Sequence, residues 1–102
     1  MIVVRFRVQA RPDTSDDVAK ALAAVVAPSR LVEGVVSFDI GRDLTDPTVF
    51  IATEVFDDRA ALDRQEELAE VANAMSVFEQ SLATPPEATI FNVSSSEPPY
   101  EE

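Results

Sequence analysis

Alternation of apolar and polar residues near the start of the chain predicts a first β-strand. Over residues 2–8 every second residue is apolar and would face one side, whereas Val3, Arg5 and Arg7 would face the other. Residues 35–42, 49–56 and 88–93 are also rich in apolar and β-branched residues, which predicts three further strands. The segment 49–56 is largely apolar on both faces, so we expect it inside the sheet, covered on both sides.

Two segments between these strands have helical spacing of apolar residues. The first begins at the capping pattern Thr14-Ser15-Asp16-Asp17 and ends near Pro28. The second begins at Asp57 or Asp58 and would continue as one helix until Pro85-Pro86. Its predicted core stripe has apolar residues three and four positions apart: Leu68, Val71, Met75, Phe78 and Leu82.

The order strand, helix, hairpin, helix, strand predicts an α+β fold of the ferredoxin-like βαββαβ type. In this fold an antiparallel sheet carries two helices on one face. Residues 1–93 would form the domain, and the polar residues 94–102 a mobile acidic tail. The sheet face away from the helices would carry Val3, Val35, Val49, Ile51 and Val55. Because a monomer rarely exposes such an apolar face, we expect a homodimer through the sheet faces.

Composition excludes several classes of function. The chain has 102 residues, enough for one domain, with no Cys and no His. Disulfides, thiolate metal sites, a histidine base and a histidine haem ligand are therefore excluded. The net charge of −11 argues against nucleic acid and anionic membranes as partners.

The same composition suggests where the protein works. Lys20 is the only lysine, which suits a salt-rich cytoplasm or reflects a GC-rich genome; a halophilic source is therefore one expectation. No apolar stretch approaches the roughly 20 residues of a membrane span, and Arg5 and Arg7 interrupt the first apolar run, unlike a signal peptide. We expect a cytoplasmic protein.

Glu54 and Gln65 are the candidate polar residues. Glu54 should share a strand face with Ala52 and Phe56, where a raised pKa would suit a base or a hydrogen-bond anchor. Alternatively, it is a carboxylate at the sheet edge, paired with Arg5, Arg7 or Arg42. Gln65 either bonds a ligand or is a half-exposed structural amide. The possible pocket residues, which would equally suit a plain core, are Phe6, Phe38, Phe56, Met75 and Phe78. No metal is expected, because the carboxylates of Glu66, Glu67 and Glu70 diverge around a helix.

Much of the chain resembles one known superfamily. The stretch from Gly34 to Ile40, with Arg42-Asp43, Asp46-Pro47 and Phe50, resembles the strand hairpin of the antibiotic biosynthesis monooxygenases. Two consecutive segments are similar to that superfamily's third-strand exit and the start of its next helix: Glu54-Val55-Phe56-Asp57-Asp58 and Ala60-Ala61-Leu62-Asp63. A third segment, Pro85-Pro86-Glu87, resembles the loop before its last strand.

This resemblance implies a dimeric α+β barrel with an apolar pocket between sheet and helices in each subunit. It also implies oxidation of quinol-like aromatics by molecular oxygen without a cofactor, or haem breakdown in one branch. The chain departs from the pattern at Gln65 and Glu70, where members commonly carry His. Met75, Phe56 and Phe6 stand where the haem-degrading branch has His, Trp and Asn, so we expect neither haem nor another cofactor.

Two functions remain open from the sequence. The first is a cofactor-independent monooxygenase of small aromatic or quinol-like molecules, with Glu54 and Gln65 as its catalytic residues and the Phe and Met residues above binding the substrate. The second is a non-catalytic dimeric barrel that binds a small apolar ligand or has a stress or regulatory role. An open pocket with Glu54 or Gln65 pointing into it would favour the first. A pocket filled by Phe and Met side chains would favour the second.

Overall fold

The computed structural model describes residues 1–100, which form four strands and three α-helices. In chain order these are β1 (Ile2–Gln9), α1 (Ser15–Arg30), β2 (Val35–Arg42), β3 (Val49–Phe56), α2 (Arg59–Glu66), α3 (Ala69–Ser81) and β4 (Glu87–Asn92). A 3-10 turn at Pro12–Thr14 precedes α1. Residues 94–100 have no helix or strand, and the last two residues of the predicted tail lie outside the described part.

The strands form one antiparallel sheet in the order β2-β3-β1-β4. The predicted α+β ferredoxin-like fold is therefore confirmed, and β3 lies inside the sheet as expected. Because side chains alternate along a strand, the even-numbered residues of β1 and β3 face the helices. The core forms on this side, where Val8, Phe50 and Phe56 of the sheet belong to one buried cluster with Val18 and Leu22 of α1.

A β-bulge in β2 changes the predicted register of that strand. Val35 pairs with Phe56 and Ser37 pairs with Val55, so Val36 is an extra residue without its own partner. Val36 is 57% exposed, whereas Val35 packs against the core. The prediction that Val35 lies on the outer sheet face is therefore wrong, because the extra residue Val36 shifts the alternation and the side chain of Val35 points inward.

The predicted long second helix is also wrong, since it is two helices. Leu68 has an extended backbone, with ψ of 139°, and separates α2 from α3. Asp58 begins α2 by accepting a hydrogen bond from the backbone N–H of Ala61 at 2.9 Å. After the break the predicted core stripe holds at Phe78, which is buried, but not at Met75, which is 51% exposed.

The sheet face opposite the helices is partly apolar and partly charged. Val3, Ile51 and Val55 lie there with Phe91 of β4, which pairs with Val3. The neighbouring row across the four strands is polar: Asp39, Thr53, Arg5 and Thr89. None of the helices within residues 1–100 combines the length and apolar character that a membrane crossing requires.

Candidate functional site

A cavity of about 250 Å³ lies between the helix-facing side of the sheet and the three helices. Its sheet wall consists of Val4, Phe6, Phe38, Ile40, Ala52, Glu54, Ala88 and Ile90. Its helix wall consists of Leu22, Val25, Leu62, Gln65, Glu66, Val71, Ala74, Met75 and Phe78. The exposed members Glu66, Met75, Ala88 and Ile90 mark where the cavity opens to solvent. The volume is near the lower end of small-molecule pockets, and the lining is mostly apolar, as such pockets usually are.

Strand pairing fixes the position of Glu54 in this cavity. Glu54 of β3 pairs with Phe38 on one side and with Val4 on the other, and Val4 in turn pairs with Ile90. These four side chains form one row across the sheet, and all four line the cavity. Glu54 is 8% exposed, so its carboxyl group is held among apolar side chains.

The Glu54 carboxylate has no hydrogen-bond or salt-bridge partner among residues 1–100; the three ion pairs there involve other carboxylates. The alternative pairing with Arg5, Arg7 or Arg42 is therefore wrong. Arg5 and Arg7 lie on the opposite sheet face, and the Arg42 guanidinium lies over the ring of Phe50, 4.7 Å from its centroid.

Burial and, to a smaller extent, the nearby Glu66 carboxylate together raise the pKa of Glu54 from its usual 4.5 to about 7. Desolvation disfavours the charged form because the apolar wall cannot replace the lost water. The group therefore changes between acid and base near neutral pH, which suits proton transfer.

Gln65 is a buried wall residue, not the half-exposed amide that we considered. It is 4% exposed, and its Nε2 donates a hydrogen bond to Ser29 Oγ at 3.0 Å. This bond links α2 to α1 and fixes the amide. Because Nε2 carries two N–H groups, this bond uses only one of them.

The aromatic wall is formed by three phenylalanines. The rings of Phe6 and Phe78 stack with centroids 6.1 Å apart and planes inclined by 25°. Phe38 lies beside Glu54 in the strand register. Such an arrangement offers flat surfaces to an aromatic ligand.

Few side chains of the cavity wall could ligate a metal ion or a cofactor. Within residues 1–100, no group of three Asp or Glu side chains converges to hold a metal ion. The side chains that line the cavity offer two carboxylates, one amide and the thioether of Met75 to a cofactor.

The sequence matches a known family over most of its length. The family model described as antibiotic biosynthesis monooxygenase matches residues 1–77. This chain belongs to that family. The predicted resemblance is therefore confirmed. None of the curated protein sequences matches the chain.

Solved structures support the fold of this family member. A candidate antibiotic biosynthesis monooxygenase from Deinococcus radiodurans is similar with a TM-score of 0.88 and 18% identity, over 99% of this chain and 100% of that one. A candidate antibiotic biosynthesis monooxygenase from Nitrosomonas europaea has a TM-score of 0.86 and 21% identity, over 93% of this chain and 100% of that one. A protein from Mycobacterium tuberculosis has a TM-score of 0.85 and 22% identity, over 93% of this chain and 96% of that one. These identities are low, so the likeness concerns the fold alone.

Most of the site residues predicted for this family member lie together on the cavity wall. They are Glu54, Gln65, Phe6, Phe38, Met75 and Phe78. Phe56 does not line the cavity, because it is fully buried in the core near the end of β3. Sequence reasoning missed the structural role of Ser29, although Val18, Leu22, Val25 and Ser29 recur on one face of α1. Glu66, which the sequence placed on a helix with diverging carboxylates, is exposed and also lines the cavity mouth.

Proposed function

We propose that this family member is a cofactor-independent monooxygenase of small aromatic or quinol-like molecules. The observation that carries the proposal is an open apolar cavity containing an unpartnered carboxyl group with a pKa of about 7. This combination favours the enzymatic hypothesis over a barrel filled by Phe and Met side chains. It supplies a place for a ring and a group that can remove a proton from it.

The proposed reaction begins with proton removal by ionised Glu54. The substrate is a phenol that carries hydrogen on the ring carbon opposite its hydroxyl group. Transfer of the hydroxyl proton to Glu54 leaves the number of charges in the cavity unchanged, so no additional charge is buried. The resulting phenolate is electron-rich at the opposite carbon, which can then react with molecular oxygen.

The remaining steps conserve atoms and electrons. The opposite ring carbon gives an electron pair to O2, forming a C–O bond, and Glu54 returns its proton to the outer peroxide oxygen. Cleavage of the O–O bond with loss of the ring C–H proton releases water and leaves a second carbonyl. One phenol and one O2 therefore give one quinone and one water. The apolar wall would exclude bulk water during these steps.

In this proposal Gln65 stabilises the oxyanion. The bond to Ser29 holds the amide in place, so its free N–H requires little reorganisation when negative charge develops on the substrate oxygen. Loss of one such donor typically lowers the rate by about 10²–10³.

Oxygen uptake with a panel of phenols and quinols that carry hydrogen opposite a hydroxyl group tests the proposal. Wild type should consume oxygen above the uncatalysed rate, more quickly as the pH rises through about 7, because the base must be ionised. Glu54→Gln should abolish this pH dependence. Because Gln65 is buried, Gln65→Met is preferred to alanine, since it removes the amide without leaving a large cavity. Glu79→Gln on the exposed surface of α3 is the charge-matched control.

The panel also separates the second function. If wild type consumes no oxygen above background, the oxygenase proposal fails and a ligand-binding barrel is the better description. The observation favouring that description is the occurrence of Gln65 and Glu70 where the resemblance places histidines. If wild type is active and both site variants match it, the enzymatic class survives but the assigned residues are wrong.

We further propose that two copies pack through their outer sheet faces. Val3, Ile51, Val55 and Phe91 give this face its apolar part, and Phe91 is 48% exposed in the single chain. The interface should bury more than about 1,600 Å². Sedimentation at micromolar concentration should show a dimer, and a monomer there would contradict the proposal.

A further inference from the structure

The charged groups of the cavity wall are all negative. Glu54 and Glu66 contribute carboxylates, and no Lys or Arg is among the lining residues. Glu66 of α2 is the charged side chain that acts on Glu54. The other side chains that line the cavity, from the strands and from all three helices, carry no charge. A ligand would therefore meet negative charge without a compensating cation from the protein.

Glu54 is also a largely buried carboxylate without a hydrogen-bond or ion-pair partner among residues 1–100, and its oxygens remain accessible from the cavity. A buried carboxylate normally has a cation or several hydrogen-bond donors, since desolvation is costly otherwise. A ligand that brings a positive charge would supply the missing partner. An anionic ligand would meet repulsion from both carboxylates.

The aromatic residues complete the requirements for such a ligand. Phe6, Phe38 and Phe78 line the same cavity as the two carboxylates. The faces of phenylalanine rings attract ammonium groups within about 6 Å of the ring centre. The same faces also receive a flat ring by stacking.

We infer that this cavity preferentially binds small aromatic ammonium ions, with Glu54 as the principal counterion, Glu66 at the mouth as a secondary one and the phenylalanines holding the ring. The inference shares the cavity with the proposed oxygenase but does not depend on its chemistry. An ammonium ion beside Glu54 would lower the pKa of the carboxyl group, so such ligands should compete with a phenol substrate.

Three ligands of the same ring and similar size test this inference: benzylammonium, benzyl alcohol and benzoate. Calorimetric titration is performed at about pH 8, where Glu54 is mostly ionised and the amine is still protonated. Wild type should bind benzylammonium roughly tenfold or more tightly than benzyl alcohol, and benzoate most weakly. The preference for the ammonium ion over the alcohol should decrease as the pH falls to about 5.5, because Glu54 takes up a proton.

Glu54→Gln should bind the ammonium ion and the alcohol about equally. Glu66→Gln should reduce the preference only partly. The control Glu79→Gln removes the same charge from α3 outside the cavity wall and should keep the full preference. This comparison separates a local counterion from the general field of a protein with net charge −11.

Several results would overturn the inference. These are equal binding of the alcohol and the ammonium ion by wild type, tight binding of benzoate, or no binding of any of the three. Retention of the preference in Glu54→Gln, or its complete loss in Glu66→Gln, would overturn the assignment to Glu54. None of the three probes carries a ring hydroxyl group, so failure here is distinguishable from failure of the proposed oxidation.

Discussion

Replacement of Glu54 by glutamine should change how the stability of the protein depends on pH. The carboxyl group is buried among apolar side chains without a partner within residues 1–100, and its pKa is raised from 4.5 to about 7. Glutamine has nearly the same shape as the protonated acid but cannot ionise. The substitution therefore removes the titration while leaving the packing almost unchanged.

The magnitude follows from the pKa difference between the unfolded and folded states. Each pKa unit is worth about 1.4 kcal/mol, so the change from 4.5 to about 7 corresponds to about 3–4 kcal/mol. Because the cavity opens to solvent, which screens part of this effect, we expect about 2–3 kcal/mol.

The direction follows from proton binding. The folded state holds the Glu54 proton more tightly than the unfolded state does, so this group's stabilisation is fully present below about pH 4.5. It is lost as the pH rises to about 7 and above. The free energy of unfolding of Glu54→Gln, measured relative to that of wild type, should therefore be higher above pH 7 than at acidic pH.

Urea unfolding followed by circular dichroism measures this difference. Wild type, Glu54→Gln and the surface control Glu79→Gln are compared at one protein concentration between about pH 4.5 and 8.5. The free-energy difference between wild type and Glu54→Gln should change by the predicted amount across this range, and the control should follow wild type. A difference that does not vary with pH would show that Glu54 titrates alike in the folded and unfolded states. It would refute the reasoning about its burial.

Three further predictions concern the rest of the molecule. Gly34→Ala should destabilise the fold by more than about 1 kcal/mol in urea unfolding, because φ is +89° and the new Cβ would lie 2.6 Å from the Cβ of Ala61. The control is Gly41→Ala, whose new Cβ would meet no atom within 4 Å apart from those of its chain neighbours and which should not show this loss. Asp58→Ala should cost about 1 kcal/mol in the same assay because it removes the cap of α2, whereas a similar loss in exposed Asp57→Ala would contradict this cause. With 19 acidic and 8 basic residues, Tm followed by circular dichroism should rise as salt increases from about 10 mM to about 1 M, and a flat curve would argue against a halophilic character.

The position of Glu54 could be predicted from sequence because strand alternation is strict. Once 49–56 is assigned as a strand, Glu54 must share the helix-facing side with Ala52, and the structure places it there. The helix break at Leu68 could not be predicted in this way, since leucine is a good helix former and neither Gly nor Pro marks the site. The error at Met75 has another cause, because Val71, Met75 and Phe78 keep their helical spacing within α3 and Met75 is exposed where it lines the open cavity.

The resemblance implied an apolar pocket, but whether that pocket is open or filled could not be predicted from the sequence, for a different reason. Whether Phe6 and Phe78 fill the space or line it depends on the distance between α3 and the sheet, which no local pattern specifies. The bond between Gln65 and Ser29 likewise joins residues far apart in the chain. Such contacts follow from the packing of α2 against α1, which periodicity alone does not determine.

The pairing of β1 with β4 has a consequence for synthesis of the protein on the ribosome. β1 lies near the start of the sequence and β4 near its end, yet they are neighbours in the sheet, and the Val93 N–H bonds the carbonyl of Met1 at 2.9 Å. A nascent chain can pair β1 with β3 first, but one edge of β1 stays open until residues 87–92 have left the exit tunnel. Contacts between such distant segments slow folding, and an unpaired strand edge can recruit another chain. Translational pauses shortly before β4 should therefore be the stage at which this protein aggregates most readily.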